Sequence, residues 1–246
     1  MSEDKRPFFL WKIDPQRPLP SHRLQEALEA APDGVVVGGS SGLTAENVNA
    51  TLASVVGHGL WTGIEVTSVE VVVGAAPYLS QLDRVLVPFV LNTTSPLRWQ
   101  QEALTLLSRF SQLVPWEKLR TEGYLILNPQ ATAYQVAACF LPAPEEIVPL
   151  MQWGALLGLD VLYVEYSGRF GSPLLLTRIA AALHQTRRNS RLIYGGGLRR
   201  AEQVAQMAPL VDGLIAGDLL YDDVPLAPLV AAARNALVHK EKRQRC

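Results

Sequence analysis

The chain has 246 residues, 48% of them hydrophobic, with 22 Lys+Arg against 23 Asp+Glu and a formal net charge of −1. That length supports one large core or two small ones, and the even charge balance gives no electrostatic case for nucleic-acid binding, which usually shows a basic stripe. Two cysteines, Cys139 and Cys246, exclude a disulfide framework and a Cys-rich zinc module. No run of about 18 apolar residues supplies a transmembrane helix. The N-terminal apolar run 8–11 is too short for a signal-peptide core, so the expected location is cytoplasmic.

In chain order, a first strand is predicted over 8–13, followed by a helix from near Ser21 whose face is Leu24, Ala27, Leu28 and Ala31. A second strand, 34–38, leads to a helix capped by Thr44, with Glu46 in its first turn and Val48, Leu52, Val55 and Val56 on one face. The valine-rich run 69–73 reads as the third strand, with 64–67 either a separate strand or part of a longer one. Runs 85–91, 124–127, 161–164, 192–194 and 213–216 complete the set. Ser95-Pro96 and Ser172-Pro173 are cap-plus-proline helix starts, and Leu176, Ile179, Ala180 and Leu183 continue the second. Leu226, Leu229, Val230, Ala233 and Leu237 mark a last amphipathic helix, and the basic run from Lys240 to Arg245 reads as a solvated tail.

Short, continuous, β-branched runs are the pattern of parallel strands buried on both faces. Eight of them alternating with helical segments, with no linker and no internal repeat, predict a single-domain (β/α)8 TIM barrel over 1–246. A doubly wound open sheet would also alternate, but eight units in this length match the barrel.

Barrel active sites lie at the C-terminal ends of the strands. There the sequence places Lys12-Ile13-Asp14-Pro15, Gly38-Gly39-Ser40-Ser41-Gly42, Glu165-Tyr166-Ser167-Gly168, Gly195-Gly196-Gly197 and Gly217-Asp218. Glycines after the last three strands let backbone N–H groups approach a phosphate, although a glycine also simply turns a strand into a loop. Asp14 with the Ser40 hydroxyl offers hard oxygen ligands for Mg²⁺; alone, Asp14 is equally a turn residue before Pro15. Lys12 brings a cation to the same region or snorkels. Glu165 shares a strand face with Tyr163 and is a candidate general base. The segment 38–42 also satisfies G-x-S-x-G, a serine-hydrolase pattern with Ser40 as nucleophile, but His58, His184 and His239 do not follow strands. The four histidines have no metal-ligand spacing, which argues against zinc.

Lys12-x-Asp14-Pro15, Val37-Gly38-Gly39-Ser40-x-Gly42-x-Thr44-x-x-Asn47, Val90-Leu91-Asn92, Gly123-Tyr124 with Asn128-Pro129, Tyr163-x-Glu165-Tyr166-Ser167-Gly168 and Tyr194-Gly195-Gly196-Gly197 together resemble the PcrB / geranylgeranylglyceryl phosphate synthase family. The Tyr-x-Glu-Tyr-Ser-Gly form is similar to the bacterial, heptaprenylglyceryl phosphate synthase branch. The resemblance implies a homodimeric or larger TIM barrel that joins sn-glycerol 1-phosphate to a long polyprenyl diphosphate through an ether bond, with Mg²⁺, and delivers its product to a membrane. It further implies Asp14 and Ser40 as Mg²⁺ ligands and Glu165 as proton acceptor. The glycerol 1-phosphate residues it implies are Lys12, Tyr163, Val164, Glu165, Tyr166, Ser167, Gly168, Gly197, Gly217 and Asp218.

Two departures from that family's pattern stand out. Asp218 replaces the usual Asn, and a carboxylate about 4 Å from a phosphate charge costs roughly 4 kcal/mol at an effective dielectric near 20. Arg199 and Arg200 are the candidate compensating charges, with an Arg200–Asp218 exchange the specific expectation. The stretch 74–82 reads as an altered loop bordering the prenyl channel, which Phe89 and Trp99 could narrow or lengthen, although aromatics at such positions are more often core. A member with lost or altered activity, binding a phosphate ligand or using another acceptor, is therefore the alternative; a serine hydrolase and a phosphosugar enzyme on the same fold are weaker ones.

Overall fold

The computed structural model describes residues 6–96, 105, 108–113 and 115–245, with side chains as far as 237. Eight parallel strands close into a barrel in sequence order, so that β1 pairs with both β2 and β8. They are β1 (Phe8–Ile13), β2 (Gly34–Val37), β3 (Trp61–Glu65), β4 (Arg84–Val90), β5 (Leu119–Ile126), β6 (Val161–Glu165), β7 (Arg191–Gly195) and β8 (Gly213–Ala216). Around them lie α1 (Ser21–Glu29), α2 (Ala45–Val55), α3 (Val69–Ala75), α4 (Thr132–Val136), α5 (Ile147–Leu156), α6 (Pro173–Thr186), α7 (Ala201–Met207) and α8 (Ala227–Arg245). This is the expected (β/α)8 TIM barrel.

The period of two along each strand divides the core. Leu10, Val36, Leu86, Tyr163, Ile193 and Ile215 fill the lumen. Trp11, Val35, Leu125, Val164, Tyr194 and Leu214 face the helices. Trp11 is fully buried, and its indole N–H donates to the Ala27 carbonyl on α1 at 2.9 Å, so its polar atom is satisfied. The predicted caps form: Thr44 and Asn47 make a reciprocal capping box on α2, and Ser172 caps α6.

The third strand corrects the sequence reading. Residues 69–73 are helical, and the strand is Trp61–Glu65. Strand preference in valine reflects its fit to a pleated, packed surface rather than an intrinsic backbone choice. Here Val71, Val72 and Ala75 are buried, and Gly74 lets α3 approach α2 so closely that a Cβ would lie 2.5 Å from the Ala45 carbonyl oxygen. The stretch 74–82 is likewise no mouth loop: it carries the end of α3 and a 3₁₀ turn (Ala76–Tyr78) toward the start of β4, at the opposite face of the barrel. Phe89 is exposed, whereas its strand neighbours Pro88 and Val90 line the cavity. Pro96, the expected helix start after Ser95, is helical, and the residues that follow it, Trp99 among them, lie outside the described residues.

A four-fold device closes the other end. Asp33, Asp83, Asp160 and Asp212 each immediately precede an even-numbered strand. Each accepts, through Oδ2, a backbone N–H of the preceding odd strand: Phe9 at 2.8 Å, Thr62 at 2.8 Å, Thr121 at 2.7 Å and Leu192 at 3.0 Å. A single recurring residue leaves no readable repeat, yet it pins adjacent strands in register with charge-assisted hydrogen bonds. Asp33→Ala is expected to cost about 1.5 kcal/mol in denaturant unfolding, with kinetic constants unchanged because the site is at the far end of the barrel.

Candidate functional site

A cavity of roughly 630 Å³ opens at the C-terminal ends of the strands. It brings Lys12 and Asp14 from β1 and its loop together with Ser40 after β2. Tyr163, Glu165 and Ser167 enter from β6, and Gly197, Gly217 and Asp218 from the loops after β7 and β8. Three expected residues do not line it. Val164 points outward by the strand alternation and is buried among helix-facing side chains, and Tyr166 packs beside Tyr194, with ring centroids 6.3 Å apart. Gly168 is the third; its N–H donates to Asp218, which does line the cavity.

The glycines have specific steric reasons. A Cβ on Gly38 would lie 2.3 Å from Glu65 Oε2, and one on Gly39 would lie 2.4 Å from Asp14 Oδ1. A Cβ on Gly195 would collide with the Tyr163 hydroxyl. Gly196 and Gly197 have positive φ and lie against the backbone of Tyr166 and of Arg169-Phe170. The triple glycine thus first allows the β7 loop to seat on the β6 loop, and Gly197 remains at the cavity wall.

At the cavity floor lies an ionic network absent from the sequence reading. Lys12 Nζ is 2.7 Å from Glu65 Oε2 and 3.3 Å from the Tyr124 hydroxyl, which itself donates to Glu65 Oε1 at 2.5 Å. The ammonium also sits 5.5 Å from the Tyr124 ring centroid and 5.8 Å from that of Tyr163. Burial works against the Lys12 cation, but the charges of Glu65 and Glu165 and the Glu65 hydrogen bond outweigh it, so its pKa lies above that of an ordinary lysine. Glu65 is a site residue that placing the third strand at 69–73 concealed. Its signal is the Gly63-Ile64-Glu65 ending of a short strand.

Glu122 lies two residues before Tyr124 on the lumen side of β5, fully buried, with neither carboxylate oxygen hydrogen-bonded among the described residues. Burial, then the charge of Glu65, raises its pKa well above the carboxylate range. The folded chain therefore holds this proton more tightly than the unfolded one, and stability falls as pH rises from about 4.5 toward the native pKa. Thermal melts should show Glu122→Gln matching the parent near pH 4 and exceeding it near pH 8.

Glu165 is held by Ser167, whose N–H donates to Oε1 at 2.9 Å and whose hydroxyl donates to the same oxygen. Fixing one oxygen directs the other. Burial and then the Glu165 charge raise the Tyr163 pKa, so its phenol stays neutral. The family-motif residues Asn92 and Asn128 brace this end of the barrel. Asn92 bonds the backbone of Ile126 and Phe140, and Asn128 Nδ2 donates to the Ser167 carbonyl.

Asp218 does not meet Arg200. Its Oδ2 accepts the Gly168 N–H at 2.9 Å, and its Oδ1 is 3.5 Å from Arg17, whose guanidinium stacks 3.9 Å from the Tyr221 ring centroid. Arg199 pairs with Asp222, and Arg200 is the N-cap of α7. Barrel closure sets the β1 loop beside the β8 loop, which is why the compensating cation is Arg17. For Mg²⁺, Asp14 and Ser40 share the cavity, and Gly39 leaves the space beside the Asp14 carboxylate free of a side chain. Partial burial raises the Asp14 pKa, a cost that a cation would offset. No group of three or more His, Cys, Asp or Glu forms a metal cage among the described residues. One carboxylate and a hydroxyl suit a Mg²⁺ that keeps waters and takes substrate phosphates. For the serine-hydrolase alternative, His22, His58 and His184 lie outside the cavity that holds Ser40, and the side chain of His239 lies outside the described residues.

Comparison with known proteins agrees with this geometry. The PcrB family model matches residues 1–233. A heptaprenylglyceryl phosphate synthase of Bacillus mycoides (strain KBAB4) is 33% identical over 224 residues, covering 89% of this chain and 92% of that protein. The fold is similar to the crystal structure of (S)-3-O-geranylgeranylglyceryl phosphate synthase from Thermoplasma acidophilum in complex with its substrate sn-glycerol-1-phosphate. That similarity has a TM-score of 0.78 at 18% identity and covers 94% of this chain and 95% of the other. GGGPS from Thermoplasma volcanium gives a TM-score of 0.75 at 19% identity, covering 97% and 93%. The barrel, its mouth residues and these relatives agree: the chain belongs to the PcrB family.

Proposed function

We propose that this chain is a Mg²⁺-dependent prenyltransferase that joins sn-glycerol 1-phosphate to a long-chain polyprenyl diphosphate through an ether bond. The observation that carries this reading is the division of the cavity wall. Pro88, Val90, Ile126, Ala133, Val136 and Ala137 make an apolar side from β4, β5 and the α4 region, whereas the β6–β8 side presents carboxylates, a serine and glycine backbone. A hydrocarbon chain fits the first side and a phosphorylated polyol the second.

In this reading a glycerol hydroxyl loses its proton to Glu165 as its oxygen bonds the allylic carbon, and the bond from that carbon to the diphosphate breaks. Ser167 keeps Glu165 aligned, Lys12 supplies a fixed positive charge near the acceptor, and the apolar wall excludes water from the developing cation. Asp14 and Ser40 would hold Mg²⁺, which when bound supplies positive charge to the departing diphosphate. The same reading makes the protein a cytoplasmic homodimer whose lipid product passes to a membrane. Among the described residues no helix is long and apolar enough to cross one.

One observation favours a second reading, a member with another acceptor: Asp218 already occupies the Gly168 N–H. Calorimetric titration with glycerol 1-phosphate distinguishes them. The first reading expects binding by the parent chain and about tenfold tighter binding by Asp218→Asn, since Arg17 already offsets part of the repulsion. Binding by the Asn variant alone would favour the second.

A further inference from the structure

The α1 side chain Arg23 is an arginine only 7% exposed, on the outside of the barrel and away from the cavity wall. Its Nε donates to the Leu220 carbonyl at 3.2 Å, its Nη2 to the Leu219 carbonyl at 3.1 Å and its Nη1 to the Val224 carbonyl at 3.1 Å. Nη1 also pairs with Glu26, one turn along α1, and Glu26 Oε1 accepts the Leu226 N–H at 3.1 Å. Two neighbouring side chains of α1 thus hold the segment after β8 at four backbone positions between 219 and 226.

The inner surface of that segment is cavity wall. It carries Asp218, Leu219 and Tyr221, and it begins at Gly217, whose Cα lies so near β1 that a Cβ would be 2.9 Å from the Lys12 carbonyl oxygen. Tyr221 in turn supports Arg17, which pairs with Asp218. A shift of the segment would therefore move the glycine, the carboxylate and the arginine of this wall together. Three carbonyls in different directions need the forked, planar donor set of a guanidinium; a lysine ammonium at the same place cannot reach all of them with fixed geometry.

We infer that Arg23 is a positioning residue for acceptor binding: from behind the wall, its carbonyl clamp sets where the Gly217–Asp218–Tyr221 surface meets the phosphate end of the acceptor. This rests on the proposed assignment of that end to glycerol 1-phosphate. Among the described residues, the side-chain hydrogen-bond partners of Arg23 all belong to α1 and the segment after β8, so the apolar side made by β4 and β5 should keep its shape.

The test is initial-rate kinetics with both substrates varied, and calorimetric titration of glycerol 1-phosphate, on the parent chain, Arg23→Met and Arg23→Lys. Arg23→Met is expected to raise the KM and Kd for glycerol 1-phosphate about tenfold or more, with kcat at saturating acceptor and the donor KM within about twofold, and Arg23→Lys to fall between. Loss of folded protein alone would instead lower kcat and leave the acceptor KM unchanged, and that result would overturn the inference. If Arg23→Met does not fold, Arg23→Lys decides: an acceptor KM raised about threefold supports the clamp, and a parental KM overturns it. A parent chain that fails to bind glycerol 1-phosphate would overturn the acceptor assignment itself, a result distinct from parental binding by the variants.

Discussion

Glu165→Gln is expected to lower kcat by about 10²–10⁴-fold while the KM for the glycerol phosphate acceptor stays within a few-fold. The amide keeps the shape of the carboxylate, and its oxygen can still accept from the Ser167 N–H and hydroxyl that hold Oε1. What it loses is the capacity to take the proton of the attacking hydroxyl. The carboxylate sits on the last residue of β6 and is braced on one side by Ser167. Glu65 is committed to Lys12 and Tyr124, and Glu122 lies deeper in the lumen, on β5. Rates measured under single-turnover conditions would check this, and a variant retaining a tenth or more of parental kcat would remove Glu165 from the proton-accepting role.

Glu65→Ala is expected to be the most destabilising single change at the site, by about 3–5 kcal/mol, since it leaves the Lys12 ammonium in the lumen without its partner and the Tyr124 hydroxyl without its acceptor. Denaturant unfolding would measure it. The double variant Lys12→Met/Glu65→Leu is expected to recover most of that loss, because replacing a buried pair by apolar groups of similar volume is often near neutral. It should nevertheless stay inactive. Recovery of stability without activity would show that the pair is kept for the chemistry of the cavity. Recovery of both would mean that the Lys12 charge is dispensable for turnover.

The barrel was legible because strands buried on both faces write continuous apolar runs, and the site was legible where it coincides with strand ends. Lys12, Asp14, Ser40, Glu165, Gly197 and Gly217 all follow from that rule. The exceptions have physical causes. The valines of 69–73 satisfy a strand pattern, but packing of α3 on α2 makes them a helix, and the displaced assignment concealed Glu65. The first half of β5 is polar, with Arg120, Thr121 and Glu122, so the apolar pattern marks the strand only from Tyr124 onward although it starts at Leu119. Proximity along the chain points to a partner for Asp218 just after β7, whereas closure of the sheet brings β1 and its Arg17 alongside β8. Pairings made by barrel closure leave no mark in linear order, and Arg23 belongs to the same class.

The most direct test of the account is formation of the ether lipid. Purified protein would be incubated with Mg²⁺, labelled glycerol 1-phosphate and a series of polyprenyl diphosphates from short to heptaprenyl, and the product analysed after dephosphorylation. The account predicts an ether-linked prenylglycerol from the parent chain, lost in Glu165→Gln. Binding of glycerol 1-phosphate without any ether product across the whole donor series would contradict it.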